Sequence, residues 1–299
     1  MDMLDTVIIS GVMTGLIYSL IALGFVLIFK ASHVFNLAQG EFLLFGACIG
    51  WVFASLLNLN IWLTLALTVL CSGILGFLIE YVLIQPLISQ PLFASIMLTL
   101  ALSMTLKGIL IGIWWAPPYG YPSSSFLEFK LPQQLSSTLI SPLMMEASII
   151  ALVLIVVFRL FFNFTRVGLS MRAVAEDYQV AQALGINVRR IITLTWIIAA
   201  IVAGIGGLLL GRVLTVSGEL STLGLVVLPV ALLGGLDSIF GCIVGGIIIG
   251  IAENVAAIYL DPLLPRGGGL RIVFPYVIML CILVIRPEGL FGLKRIERI

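Results

Sequence analysis

Long apolar runs alternate with short polar breaks along this chain. The apolar segments fall at roughly 6–29, 42–57, 62–84, 92–113, 145–163, 191–214, 222–236, 238–257 and 271–286. Runs of about 18 or more apolar residues are the signature of membrane-crossing helices. The second and seventh segments are short for a full crossing and predict broken or re-entrant helices. Backbone that leaves the helical state at membrane depth has to be buried in protein or line a cavity. The pattern therefore predicts an all-α polytopic membrane protein, a bundle of about eight or nine transmembrane or broken helices in a single domain over 1–299.

One break is long. Residues 165–190 read TRVGLSMRAVAEDYQVAQALGINVRR, polar and rich in helix formers. Ser170 is placed to cap a helix running to Leu184, and Gly185 stands where a C′ glycine belongs. Met171, Val174, Tyr178 and Ala181 recur at helical spacing as one apolar face, with Glu176, Asp177 and Gln179 off it. Such a helix can pack on its own bundle, lie in the membrane interface, or fill a groove on a partner.

Composition agrees with a lipid solvent. Hydrophobic residues are 61% of the chain, charged residues 10%, and the mean hydropathy is +1.25, whereas a soluble domain carries about 25% charge. The formal charge of +1 and the lack of a basic patch with interleaved aromatics give no sign of nucleic-acid binding. Asp2 and Asp5 begin the chain, and the following apolar run is too long for a signal peptide, so it reads as a first span. Cys48, Cys71, Cys242 and Cys281 each stand alone in apolar runs, with neither disulfide nor zinc spacing, and read as small buried hydrophobes. No metal or cofactor motif is present. There is no G-x-x-x-x-G-K-[ST] phosphate loop and no Ser/His/Asp constellation. The single histidine, His33, reads as interfacial.

The Lys/Arg bias sets orientation. Arg159, Arg166, Arg172, Arg189 and Arg190 flank the polar segment, and Arg286, Lys294, Arg295 and Arg298 end the chain. Placing both groups in the cytoplasm requires four crossings between them. Nine crossings then put the N-terminus outside; one re-entrant early segment would put it inside. The Pro- and Ser-rich loop 114–144 and the segment 258–270 fall on the external side.

Polar residues inside the spans are the remaining candidates. Asn36, Gln39, Gly40 and Glu41 form the break between the first two segments. A buried charge at such a position either faces a cavity or caps the next helix, where the dipole favours it. Glu80 is near a span end and can snorkel. Lys107 and Glu253 are candidates to pair across helices. Gly241-x-x-x-Gly245 and Gly246-x-x-x-Gly250 are close-packing spacings, used within the chain or between two subunits. Pro229 and Pro275 predict kinks.

Several blocks resemble one family. The run from Arg172 to Asn187 matches R-A-x-A-E-D-x-x-x-A-x-x-L-G-I-N, the coupling segment of the inner-membrane permeases of branched-chain amino acid ABC transporters. GLIYSLIALGFVLIFKASHVFNLAQGEFLLFGA (15–47), ALLGGLDSIFGCIVGGIIIGIAEN (231–254) and RPEGLFG (286–292) resemble further blocks of the same family. The shorter, LivH-type permease fits best. The resemblance implies a multi-pass permease of the bacterial-type inner membrane, working with a second related permease, two ATP-binding-cassette ATPases and a soluble solute-binding protein. Residues 165–190 would then be the cytoplasmic coupling segment. Arg172, Glu176 and Asp177 would pair with charges in an ATPase groove, Ala175 and Ala181 would belong to the same docking run, and Gly185 would turn the chain back to the membrane. Read from the polar break itself, Asn36, Gln39, Gly40 and Glu41 are candidates to line a substrate pathway, with capping or structural pairing as the alternative. The implied cargo is an amino acid, branched-chain or otherwise apolar. Urea, short amides and aromatic acids are the alternative cargoes of related permeases. A stand-alone secondary transporter would need an intramembrane ion site and leaves the coupling segment unexplained.

Overall fold

A computed structural model describes residues 3–87, 92–114, 118–122, 126, 141–263 and 269–292. Each of the nine apolar segments forms a helix. They are α1 (Met3–Ser32), α2 (Gln39–Trp51), α3 (Ile61–Ile79), α4 (Leu92–Ile113), α5 (Pro142–Phe164), α8 (Val188–Val213), α9 (Leu223–Gly234), α10 (Ile239–Val255) and α11 (Leu270–Ile285), with α6 (Arg166–Glu176) and α7 (Tyr178–Ala183) in the long polar break. No strand occurs among the described residues beyond an isolated bridge between Tyr119 and Val216. Seven helices are long and apolar enough to cross a membrane; Gly218–Gly234 and Leu270–Ile285 are shorter. The second segment is therefore longer than its apolar stretch suggested. It starts at Gln39 and continues past Trp51 through a π-turn to Leu56.

Lipid tails are as apolar as leucine, so helices in a bilayer associate through close packing rather than water exclusion. Small residues supply that packing here. α1 and α10 run antiparallel with backbones in contact: a Cβ on Gly15 would lie 2.5 Å from the Gly246 carbonyl, and one on Gly11 would lie 2.6 Å from the Ile251 Cα. Ser19 Oγ donates to Ile243 O at 3.2 Å. Asn254 holds the far end, accepting from Ser10 Oγ at 3.2 Å and donating to Thr14 Oγ1 at 3.3 Å. α2 packs on α8 through Gly46, Gly204 and Gly207, with Phe42 edge-on to the fully buried Trp196. The Gly241–Gly250 spacings thus serve intrachain packing: Gly246 and Gly250 meet α1, while Gly241 and Gly245 meet α9. Helices α3, α4 and α11 form the apolar exterior.

The two ends of the bundle segregate. At the arginine-rich end, Lys30 Nζ donates to Asp237 O at 3.0 Å and lies over the Phe162 ring. There too, the main-chain N–H groups of Leu290 and Phe291 donate to Leu233 O and Gly234 O at 2.8 and 3.1 Å. The block RPEGLFG therefore closes the carbonyl end of α9. At the other end Tyr119 pairs with Val216, and Trp51 Nε1 donates to Gly120 O at 3.1 Å. Lys294, Arg295 and Arg298, and most of 114–144, lie outside the described residues.

Two expectations about buried charge are corrected, and one buried pair is added. Glu80 does not snorkel; it is fully buried and accepts from Thr193 Oγ1 at 2.8 Å, because α3 packs on α8 at that level. Glu253 pairs with Arg271 at 2.8 Å and not with Lys107. Glu146 and Arg212 form a buried pair at 2.6 Å that the sequence reading passed over. Pro229 and Pro275 both lie inside their helices, and the four cysteines are free; Cys48 and Cys242 are buried as expected, whereas Cys71 is half-buried and Cys281 is exposed on the apolar exterior.

Candidate functional site

The polar segment 165–190 departs from the expected single helix. Thr165, not Ser170, caps α6, accepting from Gly168 N at 3.0 Å. Ser170 sits mid-helix, its hydroxyl turned back to Arg166 O at 3.0 Å. The helix stops at Asp177, whose extended backbone (φ −152°, ψ 113°) breaks the ladder. The Asp177 carboxylate then starts α7, accepting from the Gln179 and Val180 N–H groups at 2.8 and 2.9 Å. Aspartate is well suited to this cap, as its short carboxylate reaches exposed helix N–H groups and complements the dipole.

The break changes which residues face out. Met171, Val174 and Ala181 are buried against the bundle, as the periodicity predicted, but Tyr178 is exposed, because α7 restarts in a new rotational register. Glu176, Asp177, Gln179, Gln182 and Gly185 are exposed, together with Val180 at 55% and Leu184 at 74% relative exposure. Gly185 closes α7 with φ +82°. Its N–H donates to Gln182 O at 3.0 Å and the Ile186 N–H to Ala181 O at 3.1 Å, which is the Schellman pattern that glycine accommodates without a Cβ clash. Asn187 caps α8 through Arg190 N at 3.2 Å. The result is a rigid corner with a mixed acidic and apolar outer edge. Arg172 is not part of that edge. Its guanidinium turns back to Asn163, 3.4 Å from Oδ1 and 3.3 Å from the carbonyl oxygen. Ala175 is half-buried.

The second group of candidates lies inside the bundle. The loop after α1 climbs back along it, so that Gln39 Nε2 donates to Ile21 O at 3.3 Å, near the middle of α1. Asn36 Nδ2 donates to Gln39 Oε1 at 3.1 Å, and Asn36 Oδ1 accepts from Ala38 N at 3.1 Å. These two amides are thus occupied in holding the turn. Gly40 meets Ser221 and Gly224 backbone to backbone, so the N-terminal ends of α2 and α9 converge inside the protein.

Glu41 differs from its neighbours. It is 5% exposed, and its Oε2 has no hydrogen-bond partner. The Ser103 hydroxyl and, more weakly, the Lys107 charge act on its carboxylate. The main-chain N–H of the cap residue Ala38 donates to Asn36 Oδ1. The facing surface belongs to α4, where Ser95, Thr99, Ser103 and Lys107 recur every fourth residue and so share one helix face. Thr99 Oγ1 donates to Phe35 O at 2.8 Å. This polar stripe was legible in the sequence as a period-four pattern inside an apolar run, but what it faces was not. Farther outward, Leu44, Cys48, Leu110, Trp114 and Tyr119 line a narrow recess of about 20 Å³, room for about one water. Trp51 and Tyr119 pack at its outer side, ring centroids 4.2 Å apart.

Comparison with known proteins accords with this architecture. The family of the branched-chain amino acid transport system / permease component matches residues 7–283. The chain is 26% identical to the high-affinity branched-chain amino acid transport system permease protein LivH of Escherichia coli K12, over 97% of this chain and 96% of that one. It is 28% identical to the probable branched-chain amino acid transport permease protein LivH of Methanocaldococcus jannaschii, covering 100% and 96%. It is 25% identical to the permease protein BraD of Pseudomonas aeruginosa, covering 98% and 97%. With seven membrane-length helices, two shorter apolar ones and family similarity along almost its whole length, this chain belongs to the permease family of branched-chain amino acid transport systems.

Proposed function

We propose that this permease forms half of the translocation path of an ABC importer for branched-chain or similarly apolar amino acids. It would work in a bacterial-type inner membrane with its arginine-rich end in the cytoplasm. Its partners would be a second related permease, two ATPases that hydrolyse the ATP, and a soluble binding protein that delivers cargo from the opposite side. The observation that carries this reading is the α6–α7 corner. A short, capped, glycine-terminated element stands exposed at the arginine-rich end, between two spans, with Glu176, Asp177, Val180 and Leu184 outward. Force transmission needs a stiff element in fixed register, and the Asp177 cap and Gly185 turn supply both ends of one. The ATPase contact is assigned to Glu176, Asp177 and the α7 edge, with Gly185 setting the exit of the chain. Arg172, Ala175 and Ala181 anchor that edge to the bundle. Asn36, Gln39, Gly40 and Glu41 are assigned to the pathway, the first three shaping the inward start of α2 and Glu41 facing the path.

Purification from native membranes in mild detergent tests the assembly. Two ATPases and a second permease should accompany the chain, and the reconstituted complex should take up labelled leucine only with ATP and binding protein. A chain that purifies alone and transports without ATP overturns the reading in favour of a secondary transporter.

A further inference from the structure

We infer that Lys30 is the joint that carries movement of the α6–α7 corner to α9, and through α9 to the polar break that holds Gly40 and Glu41. The inference rests on the proposed importer function and adds the positioning residue that links its two candidate regions.

Direct contacts build the corner side of the joint. α6 is locked to the last turn of α5: a Cβ on Gly168 would overlap the Phe162 carbonyl, and Arg172 donates to Asn163 O at 3.3 Å. The Arg172 guanidinium also lies 5.9 Å from the centre of the buried Phe162 ring. The Lys30 ammonium lies 5.6 Å from the centre of the same ring, so both cations are within reach of its π face. Lys30 is half-buried at the end of α1, and its Nζ donates to Asp237 O at 3.0 Å. One side chain therefore touches both the helix end that carries the corner and the turn between α9 and α10. A second contact runs beside it, one turn earlier on α5. The Arg159 guanidinium lies 5.9 Å from the Phe240 ring at the start of α10, and Phe240 is edge-on to Phe291.

α9 is built to pass such a movement inward. Its 12 residues rise about 18 Å, a little over half the hydrocarbon thickness. Its carbonyl end is gripped on two sides, by the Leu290 and Phe291 N–H groups that donate to Leu233 O and Gly234 O and by Gly234 packed on the Gly241 backbone. Its other end reaches the interior, where Gly224 and Ser221 meet Gly40 backbone to backbone, beside Glu41. Side-chain contacts absorb small shifts by changing rotamer, whereas backbone packed on backbone has no such freedom. A displacement of α9 therefore moves the start of α2. Chains of packed groups and hydrogen bonds of this kind carry coupling between distant sites. Lys30 is the link in the chain that a single substitution removes without touching a backbone contact.

The competing explanation is a purely structural Lys30, complementing the carbonyl end of its own helix. That role moves stability and leaves coupling alone. The experiment uses the full importer with its binding protein in proteoliposomes. It reads initial leucine uptake, ATP hydrolysis and melting temperature for wild type, Lys30→Met, Lys30→Arg and Phe162→Leu. Lys30→Met keeps an unbranched side chain and removes the donor and the charge. It should raise the ATP consumed per leucine about threefold or more while basal ATP hydrolysis and assembly persist. Lys30→Arg keeps a cation with donors and should stay within about twofold of the wild-type ratio. A wild-type ratio in Lys30→Met, whatever its melting temperature, overturns the inference, as does a Lys30→Arg as defective as Lys30→Met. Phe162→Leu leaves Lys30 in place but removes the ring that it shares with Arg172, and should shift the ratio the same way. If Lys30→Met does not assemble, a wild-type ratio in Phe162→Leu overturns the inference instead. The wild-type complex separates the two readings. Uptake that needs no ATP overturns the importer function and this joint together. ATP-dependent uptake by wild type with an unchanged ratio in Lys30→Met overturns the joint alone.

Discussion

Arg212 Nη1 lies 2.6 Å from Glu146 Oε1, with both side chains almost fully buried. The pair ties the outer end of α8 to the outer end of α5. It also holds the segment at Phe126, whose N–H donates to the same Glu146 oxygen at 2.9 Å and whose ring lies 4.7 Å beneath the guanidinium. Two charges this deep are stable only as a pair, because desolvation of either one alone is not offset. Arg212→Met or Glu146→Gln should therefore cost about 3–5 kcal/mol, seen as a lowered melting temperature in detergent. The double variant Glu146→Gln/Arg212→Met should regain most of that loss. Equal melting temperatures for the two single variants and wild type would remove the pair from the account of stability.

Gly46 faces Gly204 so closely that an added Cβ would overlap the Gly204 backbone. Backbone there cannot yield without parting α2 from α8. Gly46→Ala should destabilise the protein by about 1–3 kcal/mol, the usual cost of overpacking. Gly108 on α4 has nothing within 4 Å of its Cβ position, so Gly108→Ala should be neutral or gain about 1 kcal/mol from helix propensity. Thermal unfolding of the two variants side by side checks the contrast.

Gly185 sits at φ +82°, where a β-branched residue is strained by about 1–2 kcal/mol or more. The site is exposed, with nothing within 4 Å of a Cβ, so Gly185→Val should leave the bundle folded and distort only the α6–α7 corner. Leucine uptake should fall while ATP hydrolysis continues, raising the ATP consumed per leucine. Asp177→Ala removes the cap of α7, worth about 1 kcal/mol, and should shift that ratio the same way by less. Normal coupling in both variants would detach the corner from energy transmission.

The segregation of ends gives a labelling test. Gly120 and Gln182 are both exposed, at opposite ends of the bundle. In intact cells a membrane-impermeant maleimide should label Gly120→Cys and spare Gln182→Cys, which should react only after the membrane is opened. The reverse labelling pattern would invert the orientation.

Several of these features were already present in the chain as text. Nine apolar segments became nine helices because a helix satisfies its backbone hydrogen bonds within the segment, a local property. Gly185 was readable for the same reason, since a helix stop that needs a left-handed residue depends on its immediate neighbours. The corner itself was misread at Asp177. A strong capping residue inside a helical pattern splits it when the tertiary path requires a turn, and helix propensity alone does not reveal that path. The partners of buried charge were beyond the sequence altogether. Glu253 took Arg271 rather than Lys107, Glu146 took Arg212, and Glu41 came to face Ser103 and Lys107. Each pairing joins residues far apart in the chain. The sequence determined that such charges had to be accommodated inside the bundle, since lipid does not solvate them. Which partner each one met was decided by helix packing, where small residues such as Gly15, Gly46 and Gly246 set the distance and register at which the spans lock together.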